Sequence, residues 1–378
     1  MVPPRIKPIV KQRPMSFVSY RGSLHSGAAR NTHVLESGGN RYLLDPGTPL
    51  ERQEFPSLSN CRLIFVSHAH PDHAGGLASA MRANREAQVV CTPATRRLIA
   101  LFFSKNAADR ALLQSNRIIE LDYGKEYILQ LPCVGRRHEA AVVTLFPAGH
   151  MLGSAAIAID DPGGKIVFTG DWSDRARKVF PPFNLPDEQR SARAIISEAS
   201  LLWVPEPDYF NELRLITKSL QQALTGGRNV LVDIDYGGLA FEFVLHCIGL
   251  MRSKNSDFPT KPVICFDHER VGRTDNDTCH ELFTDQLMRV MLRYFSYFTP
   301  EYKAKFGRKS SELREYFSSM QPAGKNFNPR DYRGAIFLTR TRNFTGVSQN
   351  TFQLTRFVRE IAADGGVLLL PPQNLFGS

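Results

Sequence analysis

No run of about 18 apolar residues occurs anywhere in the chain, so it offers no candidate for a helix that crosses a bilayer. No signal-peptide pattern is present either. The six cysteines, at 61, 91, 133, 247, 265 and 279, form no C-x-x-C pair. Most sit in or after apolar runs, as buried free thiols do. That pattern excludes a disulfide framework and points to a reducing compartment, cytoplasm or nucleus. Acid is in deficit: 37 Asp+Glu stand against 47 Lys+Arg, leaving a net charge of +10 and a pI near 9.4. The imbalance suits an anionic partner such as nucleic acid, although many basic proteins bind no polymer. It is uneven, with 12 Lys+Arg against 6 Asp+Glu in residues 301–378. No internal repeat stands out. At 378 residues, 42 % apolar and 22 % charged, the chain can bury a large core and is expected to form two domains.

The most informative segment is Ser67-His68-Ala69-His70-Pro71-Asp72-His73. His68 and His70, two apart in an extended loop, can converge on one metal ion, while Asp72 and His73 turn back towards a second. Imidazole and carboxylate suit zinc and related first-row ions. The preceding Leu63-Ile64-Phe65-Val66 reads as a buried strand, which puts the cluster at a strand's C-terminal end. Gly75-Gly76 follows and permits a sharp turn into a helix. Three of the chain's ten His fall within six residues directly after an apolar strand, which argues against a solvated His-rich loop.

The spacing predicts strands over 16–20, 31–36 and 41–44, the last running into Asp45-Pro46-Gly47. Further strands are expected over 61–66, 88–91, 141–146, 154–159, 165–168 and 194–196, with helices over 77–84 and 93–103, the latter opened by Thr92 and Pro93. Asp161-Pro162-Gly163-Gly164 is a hairpin turn signal. Five strands stop at a possible ligand: Asp45, His68, His150, Asp171 and Glu198. Any one alone is more often a turn residue or a cap; five suggest that one rim of a sheet carries a polar site. After about residue 206 strands alternate with helices: helices over 212–224, 239–251, 282–298 and 353–362, and strands over 229–234, 262–266, 335–338 and 367–370. This alternation implies a parallel sheet covered on both faces. Residues 301–333, polar and basic, read as a long loop. The expected organisation is a basic irregular arm over 1–15, one domain over 16–206 and an α/β domain over 207–378.

Asp45, then His68-x-His70-x-Asp72-His73, then His150 and Asp171, resembles in order and context the four motifs of the metallo-β-lactamase fold. Ala148-Gly149-His150-Met151-Leu152-Gly153-Ser154-Ala155 is similar to the third motif of the β-CASP nucleases. That group includes the pre-mRNA 3′-end endonuclease, archaeal and bacterial relatives, and the ligase-associated exonucleases. Thr169-Gly170-Asp171-Trp172-Ser173 resembles their fourth motif, and Ile195-Ile196-Ser197-Glu198-Ala199-Ser200 their motif A. Gly226-Gly227-Arg228-Asn229-Val230-Leu231-Val232 and Thr345-Gly346-Val347-Ser348 fall where the β-CASP insert has similar segments. The resemblance covers nearly the whole chain, strongly to about 206 and loosely beyond.

It implies an α/β fold, a metallo-β-lactamase αββα sandwich with an inserted β-CASP domain of mainly parallel sheet. It also implies a zinc-dependent hydrolase of phosphodiester bonds in nucleic acid, RNA in preference to DNA, working through a hydroxide activated by two Zn2+. His68, His70 and His150 would hold the first ion, Asp72 and His73 the second, and Asp171 would bridge. Asp45 would fix a ligand from behind. Asp72, Glu198 and Asp45 are the catalytic candidates, and Arg333, Arg340 and Arg342 candidates for phosphate contacts, with a solvated basic face as the alternative. Two departures stand out. The family's chain returns to the sandwich carrying motifs B and C, for which no His here is a candidate: His246, His268 and His280 all precede the expected place, close to Ser378. The chain is thus expected to be a fragment, a subunit completed by another protein chain, or a divergent member. Asp235-Tyr236-Gly237-Gly238 also stands where the family usually has an Arg. The rival expectations are a non-catalytic subunit of a processing complex and a hydrolase of small thioesters, lactones or nucleotides.

Overall fold

The computed structural model describes residues 14–20, 31–47, 58–104, 106–131, 140–174, 179–198, 209–233, 239–251, 264–266, 282–305, 320–322, 329–339, 361–363 and 365–369. Strands β1 (Met15–Tyr20), β2 (Thr32–Ser37), β3 (Asn40–Leu44), β4 (Leu63–Phe65), β5 (Gln88–Cys91) and β6 (Ile118–Glu120) form one sheet in that order. β1, β2 and β3 pair antiparallel, whereas β3 to β6 run parallel. Helices α1 (Pro71–Ala74), α2 (Leu77–Ala83), α3 (Pro93–Phe103) and α4 (Ala107–Leu113) fill the connections. Thr92 caps α3, accepting from the Thr95 amide at 3.2 Å with Pro93 in the first turn.

A second sheet follows: β7 (Glu126–Gln130), β8 (Ala140–Pro147), β9 (Ala155–Asp161), β10 (Gly164–Phe168) and β11 (Ala194–Ile196), ordered β11-β10-β9-β8-β7. Only β10 and β11 pair parallel. The two sheets face each other. Leu35, Tyr42, Leu44, Leu63 and Phe65 of the first meet Val143, Leu145, Ile157, Ile159, Ile166 and Phe168 of the second. The pleat sends Ile64 to the opposite face, against a core shared with Met81 and Leu98 of the helices. β4 is therefore buried on both sides, which is why it reads as an unbroken apolar run. Asp161 ties the sheets at one end, accepting from Tyr42 Oη (2.9 Å), Ser37 Oγ (2.8 Å) and its own turn's Gly163 amide (2.7 Å).

At the other end lies the rim expected from the sequence. β3 and β4 are parallel, so Asp45 and Ser67-His68 leave them at the same end. β8 and β10 each run antiparallel to β9 and so parallel to each other, sending Ala148-Gly149-His150 and Thr169-Gly170-Asp171 to one end. The Ala155 amide donates to the Ser67 carbonyl at 2.9 Å and closes the two sheets together there.

A short α5 (Asp187–Arg190) precedes β11. Beyond it, α6 (Tyr209–Thr225), α7 (Leu239–Met251), α8 (Leu282–Arg293) and α9 (Pro300–Lys305) accompany a third sheet. Its strands β12 (Val230–Asp233), β13 (Ile264–Phe266), β14 (Met320–Pro322), β15 (Ile336–Thr339) and β16 (Val367–Leu369) are ordered β14-β13-β15-β12-β16 and all parallel. The mixed α/β class, with sandwich and parallel sheet, is the expected one. One apolar cluster runs from Ile64 and Leu98 through Leu220, Phe243 and Met291, so the region beyond 209 packs directly on the sandwich's helical layer. No helix among the described residues is long and apolar enough to cross a membrane.

The differences from expectation are local. The helix predicted over 282–298 ends at Arg293, because Phe295 and Phe298 turn inward through a 3-10 turn at Phe295–Tyr297. The segment 301–333, expected as loop, contributes α9 and the edge strand β14. The arm expected over 1–15 gives Met15 to β1. Most of 353–362 and the other motif segments at 235–238 and 345–348 lie outside the described residues, as do His268 and His280.

Candidate metal centre

Asp45 ends β3 in the left-handed region at φ 50°, a conformation Asp tolerates better than most residues. The turn aims its fully buried carboxylate across to the end of β4. There Oδ1 accepts the Ser67 amide (2.7 Å), while Oδ2 accepts the Ser67 hydroxyl (2.6 Å) and pairs with His73 Nδ1 (2.8 Å). Ser67 has one proton and gives it to Asp45, so its Oγ accepts from His68 Nδ1 at 2.9 Å. Both imidazoles are thereby fixed with a proton on Nδ1, leaving His68 Nε2 and His73 Nε2 to face the rim.

Pro71 opens α1 with His70 as its capping position, and the single turn carries Asp72 and His73 round towards Asp171. Asn31, at the start of β2, holds this turn. Its amide donates to the Asp72 carbonyl (2.8 Å), and its Nδ2 lies 3.1 Å from Asp72 Oδ2 and 2.8 Å from His73 Nε2. His150 sits on a loop organised by Ser154, whose Oγ accepts the amides of His150 and Met151, both at 3.2 Å. Asp171 follows Gly170, at φ 57°. A β-carbon on Gly170 would lie 2.5 Å from both Ser67 Cβ and Oγ, so only glycine lets the Asp171 loop lie against Ser67.

These elements bring the donors together. His70 Nδ1 lies 3.0 Å from His68 Nε2 and 3.0 Å from His150 Nε2. Asp171 Oδ2 lies 3.8 Å from His68 Nε2 and 3.7 Å from His150 Nε2. A tetrahedral ion with bonds near 2.0–2.1 Å spaces its ligands by about 3.3 Å, so three imidazoles and a carboxylate oxygen at these separations fit one ion. The other oxygen, Asp171 Oδ1, is 3.2 Å from His73 Nε2, which in turn is 3.4 Å from Asp72 Oδ2. Asp171 thus gives one oxygen to each group of donors. Asp45, His68 and His73 also cluster, but both Asp45 oxygens are already engaged by Ser67 and His73.

The protonation states suit this role. Burial, then the neighbouring His73, His150 and His70, holds His68 well below the ordinary imidazole range, so it stays neutral. Burial opposes ionisation of Asp72 and Asp171, yet the facing histidines, His73 first, hold both below the usual carboxylate range. Burial likewise opposes a charge on His73, but Asp171 and Asp72 outweigh it and raise its pKa. The carboxylates therefore draw positive charge to the rim, as a proton on His73 or as a cation.

Of the other expected residues, Glu198 follows β11 by two positions and is carried to the Asp171 rim by the parallel β10–β11 pairing. Trp172 Nε1 donates to Ser197 Oγ beside it at 2.9 Å. Arg333 is exposed on the turn entering β15, beside Gly227, at the N-terminal end of the third sheet and not among the metal-site residues. Arg340 and Arg342 lie outside the described residues. His246 is buried in α7, with Nε2 2.8 Å from Thr217 Oγ1. Sequence reasoning missed Asn31, which no local pattern marks, and gave Ser67 and Ser154 no role although both stand inside quoted motifs.

A sequence model described as the metallo-beta-lactamase superfamily matches residues 26–210. The chain is similar to the endoribonuclease ysh1 of Aspergillus fumigatus, 24 % identical over 63 % of this chain and 29 % of that protein. It is similar to the ribonuclease TTHA0252 of Thermus thermophilus, 25 % identical over 76 % of this chain and 64 % of the other. With the endoribonuclease YSH1 of Saccharomyces cerevisiae the identity is 25 %, over 61 % and 32 % respectively. The chain thus spans less than two thirds of the length of each of these relatives. Residues 26–210, which carry Asp45, the His68–His73 cluster, His150 and Asp171 on one rim, are the stretch in which the chain is similar to the metallo-β-lactamase superfamily.

Proposed function

We propose that this chain is a zinc-dependent nuclease that hydrolyses phosphodiester bonds, in RNA in preference to DNA. The observation that carries the reading is the split carboxylate of Asp171, one oxygen to the three-histidine group and the other towards His73 and Asp72. That arrangement suits a two-ion site. His68, His70 and His150 would hold one zinc, Asp72 and His73 the other, with Asp171 serving both. When bound, such a pair would supply an activated water and neutralise the charge that spreads over phosphorus in the transition state. Asp45 keeps His68 and His73 in the binding tautomer. Asp72, ionised beside His73, is the candidate proton acceptor, and Glu198, two residues after β11, the candidate to orient a further protonated group. The names of the relatives, ribonuclease and endoribonuclease, support RNA as substrate. The net charge of +10 supports a polyanion. Residues 16–206 and 207–378 are taken as the sandwich domain and a β-CASP domain, whose Arg333, Arg340 and Arg342 contact phosphates.

A non-catalytic subunit is disfavoured by the intact donor set. A small-molecule hydrolase is disfavoured by the five-stranded second region, which that chemistry does not need. The test is cleavage of end-labelled single-stranded RNA by the zinc-loaded chain, with Asp171→Asn as control. Zinc-dependent products lost in the variant are expected. No cleavage by a chain shown to hold two zinc ions would overturn the reading.

A further inference from the structure

The loop that carries His150 is tied down at three points outside the donor set. Thr92 Oγ1 and Thr95 Oγ1, at the start of α3, donate to the Gly153 carbonyl at 2.7 and 2.8 Å. Ser154 Oγ accepts the His150 amide, and the Ser154 carbonyl accepts the Ala148 amide at 3.0 Å. The third tie comes from farther off: Tyr123 Oη donates to the same Ser154 carbonyl at 2.8 Å. Its ring is half-buried, and desolvation of the phenol raises its pKa well above the ordinary value and keeps the donor proton in place.

Tyr123 stands just beyond β6 and is not held by the sandwich alone. Its ring packs on Tyr297, centroid to centroid 5.0 Å, and Tyr297 packs on Tyr294 at 5.6 Å. Tyr294 and Tyr297 belong to the turn after α8, and the Tyr297 amide donates to the Tyr294 carbonyl at 2.9 Å. The same turn grips the loop after Asp171: the Thr299 amide donates to the Val179 carbonyl at 2.8 Å, and Phe298 packs edge-on against Phe180 at 6.1 Å. A turn of the region beyond 209 therefore touches the supports of both the His150 and the Asp171 loops.

We propose that Tyr123 is a positioning residue for His150, and that Tyr297 presses it into place, so that the region beyond residue 209 sets the metal affinity of the centre. A phenylalanine at 123 would fill the same space; the hydroxyl is used on the carbonyl of the residue whose side chain holds the His150 amide. From Tyr297 to His150 Nε2, 3.0 Å from His70 Nδ1, the path is one ring contact and two hydrogen-bonded residues. This rests on the metal-centre reading above.

The test compares the full chain with Tyr123→Phe, Tyr297→Ala, Tyr297→Phe and the Tyr123→Phe/Tyr297→Ala double variant. Zinc affinity is measured by competition with a chromophoric chelator at 15 °C, and the cobalt-substituted protein gives the visible spectrum of the ligand field. Tyr123→Phe and Tyr297→Ala are expected each to weaken zinc by roughly tenfold, as loss of a hydrogen-bonded support behind a ligand does, and to shift the cobalt bands. Tyr297→Phe, which keeps the ring, restores both. The double variant loses less than the product of the two single losses, because both act through one path. A purely structural pair would lower the melting temperature and leave affinity and cobalt spectrum as in the parent; that result overturns the proposal. A parent chain that takes up no metal overturns the reading of the centre, and this proposal with it.

Discussion

Asp45→Asn perturbs the centre without touching a metal ligand or creating a cavity. The carboxylate accepts three hydrogen bonds, from the Ser67 amide at one oxygen and from Ser67 Oγ and His73 Nδ1 at the other. A carboxamide can satisfy only one side. If its oxygen faces Ser67 Oγ and His73, its NH2 opposes the Ser67 N–H; if it is flipped, two donors meet the NH2. At least one hydrogen bond to a charged group is lost in a fully buried place, costing about 1.5–3 kcal/mol. Because those bonds fix the tautomers of His68 and His73, the loss falls on both groups of donors. Removing such a partner lowers metal affinity by about 10–100-fold, or roughly 1.4–2.7 kcal/mol. The assay is chelator competition for zinc, with melting of the apoprotein alongside to separate stability from affinity. Affinity within a factor of about two of the parent would refute the claim that Asp45 holds the ligands in their binding form.

Other consequences follow from the same geometry. Gly170→Ala would drive Cβ to 2.5 Å from Ser67 and is expected to weaken zinc by more than tenfold. Gly124→Ala, at φ 69° with nothing within 4 Å, should cost only the left-handed strain of about 1–2 kcal/mol; equal zinc affinity in the two variants would contradict the packing argument. Apoprotein stability should fall as pH drops from about 6.5 to 4. His68, with its depressed pKa, gains a proton only on unfolding, so its share is present above the unfolded value near 6.5 and lost below it. Asp72 and Asp171 add a further loss below about pH 4, while His73, with its raised pKa, contributes fully below about 6.5 and loses its share as pH rises. A melting temperature level or rising from pH 6.5 to 4 would refute this. Burial pushes the Cys61 thiol up to about 11 and Cys91 to about 12. Iodoacetamide at pH 8, read by peptide mass spectrometry, should therefore leave both unmodified in the folded chain, and labelling at the rate of free cysteine would count against their burial.

The sandwich was legible because its strands carry two kinds of pattern, the doubly buried run 63–66 and the strands that stop at polar residues. Those stops also revealed the rim, since parallel strands deliver their ends to one side. α3 was legible to the residue through Thr92 and Pro93. What could not be read is what depends on contacts between distant segments. Asn31 reaches Asp72 across 41 positions. Tyr123 meets Tyr297 across a boundary that composition marks as a division but packing does not respect. β14 and α9 lack the apolar periodicity that would distinguish them from loop, and β14 gains its identity only by pairing with β13.

The central claim is that Asp171 joins two metal positions. Crystals of the zinc-loaded chain, measured for anomalous scattering at the zinc edge, test it most directly. The account predicts two peaks about 3.5–4 Å apart, one among His68, His70 and His150, the other beside His73 and Asp72, with Asp171 between them. A single peak not touching Asp171, or none, would contradict it.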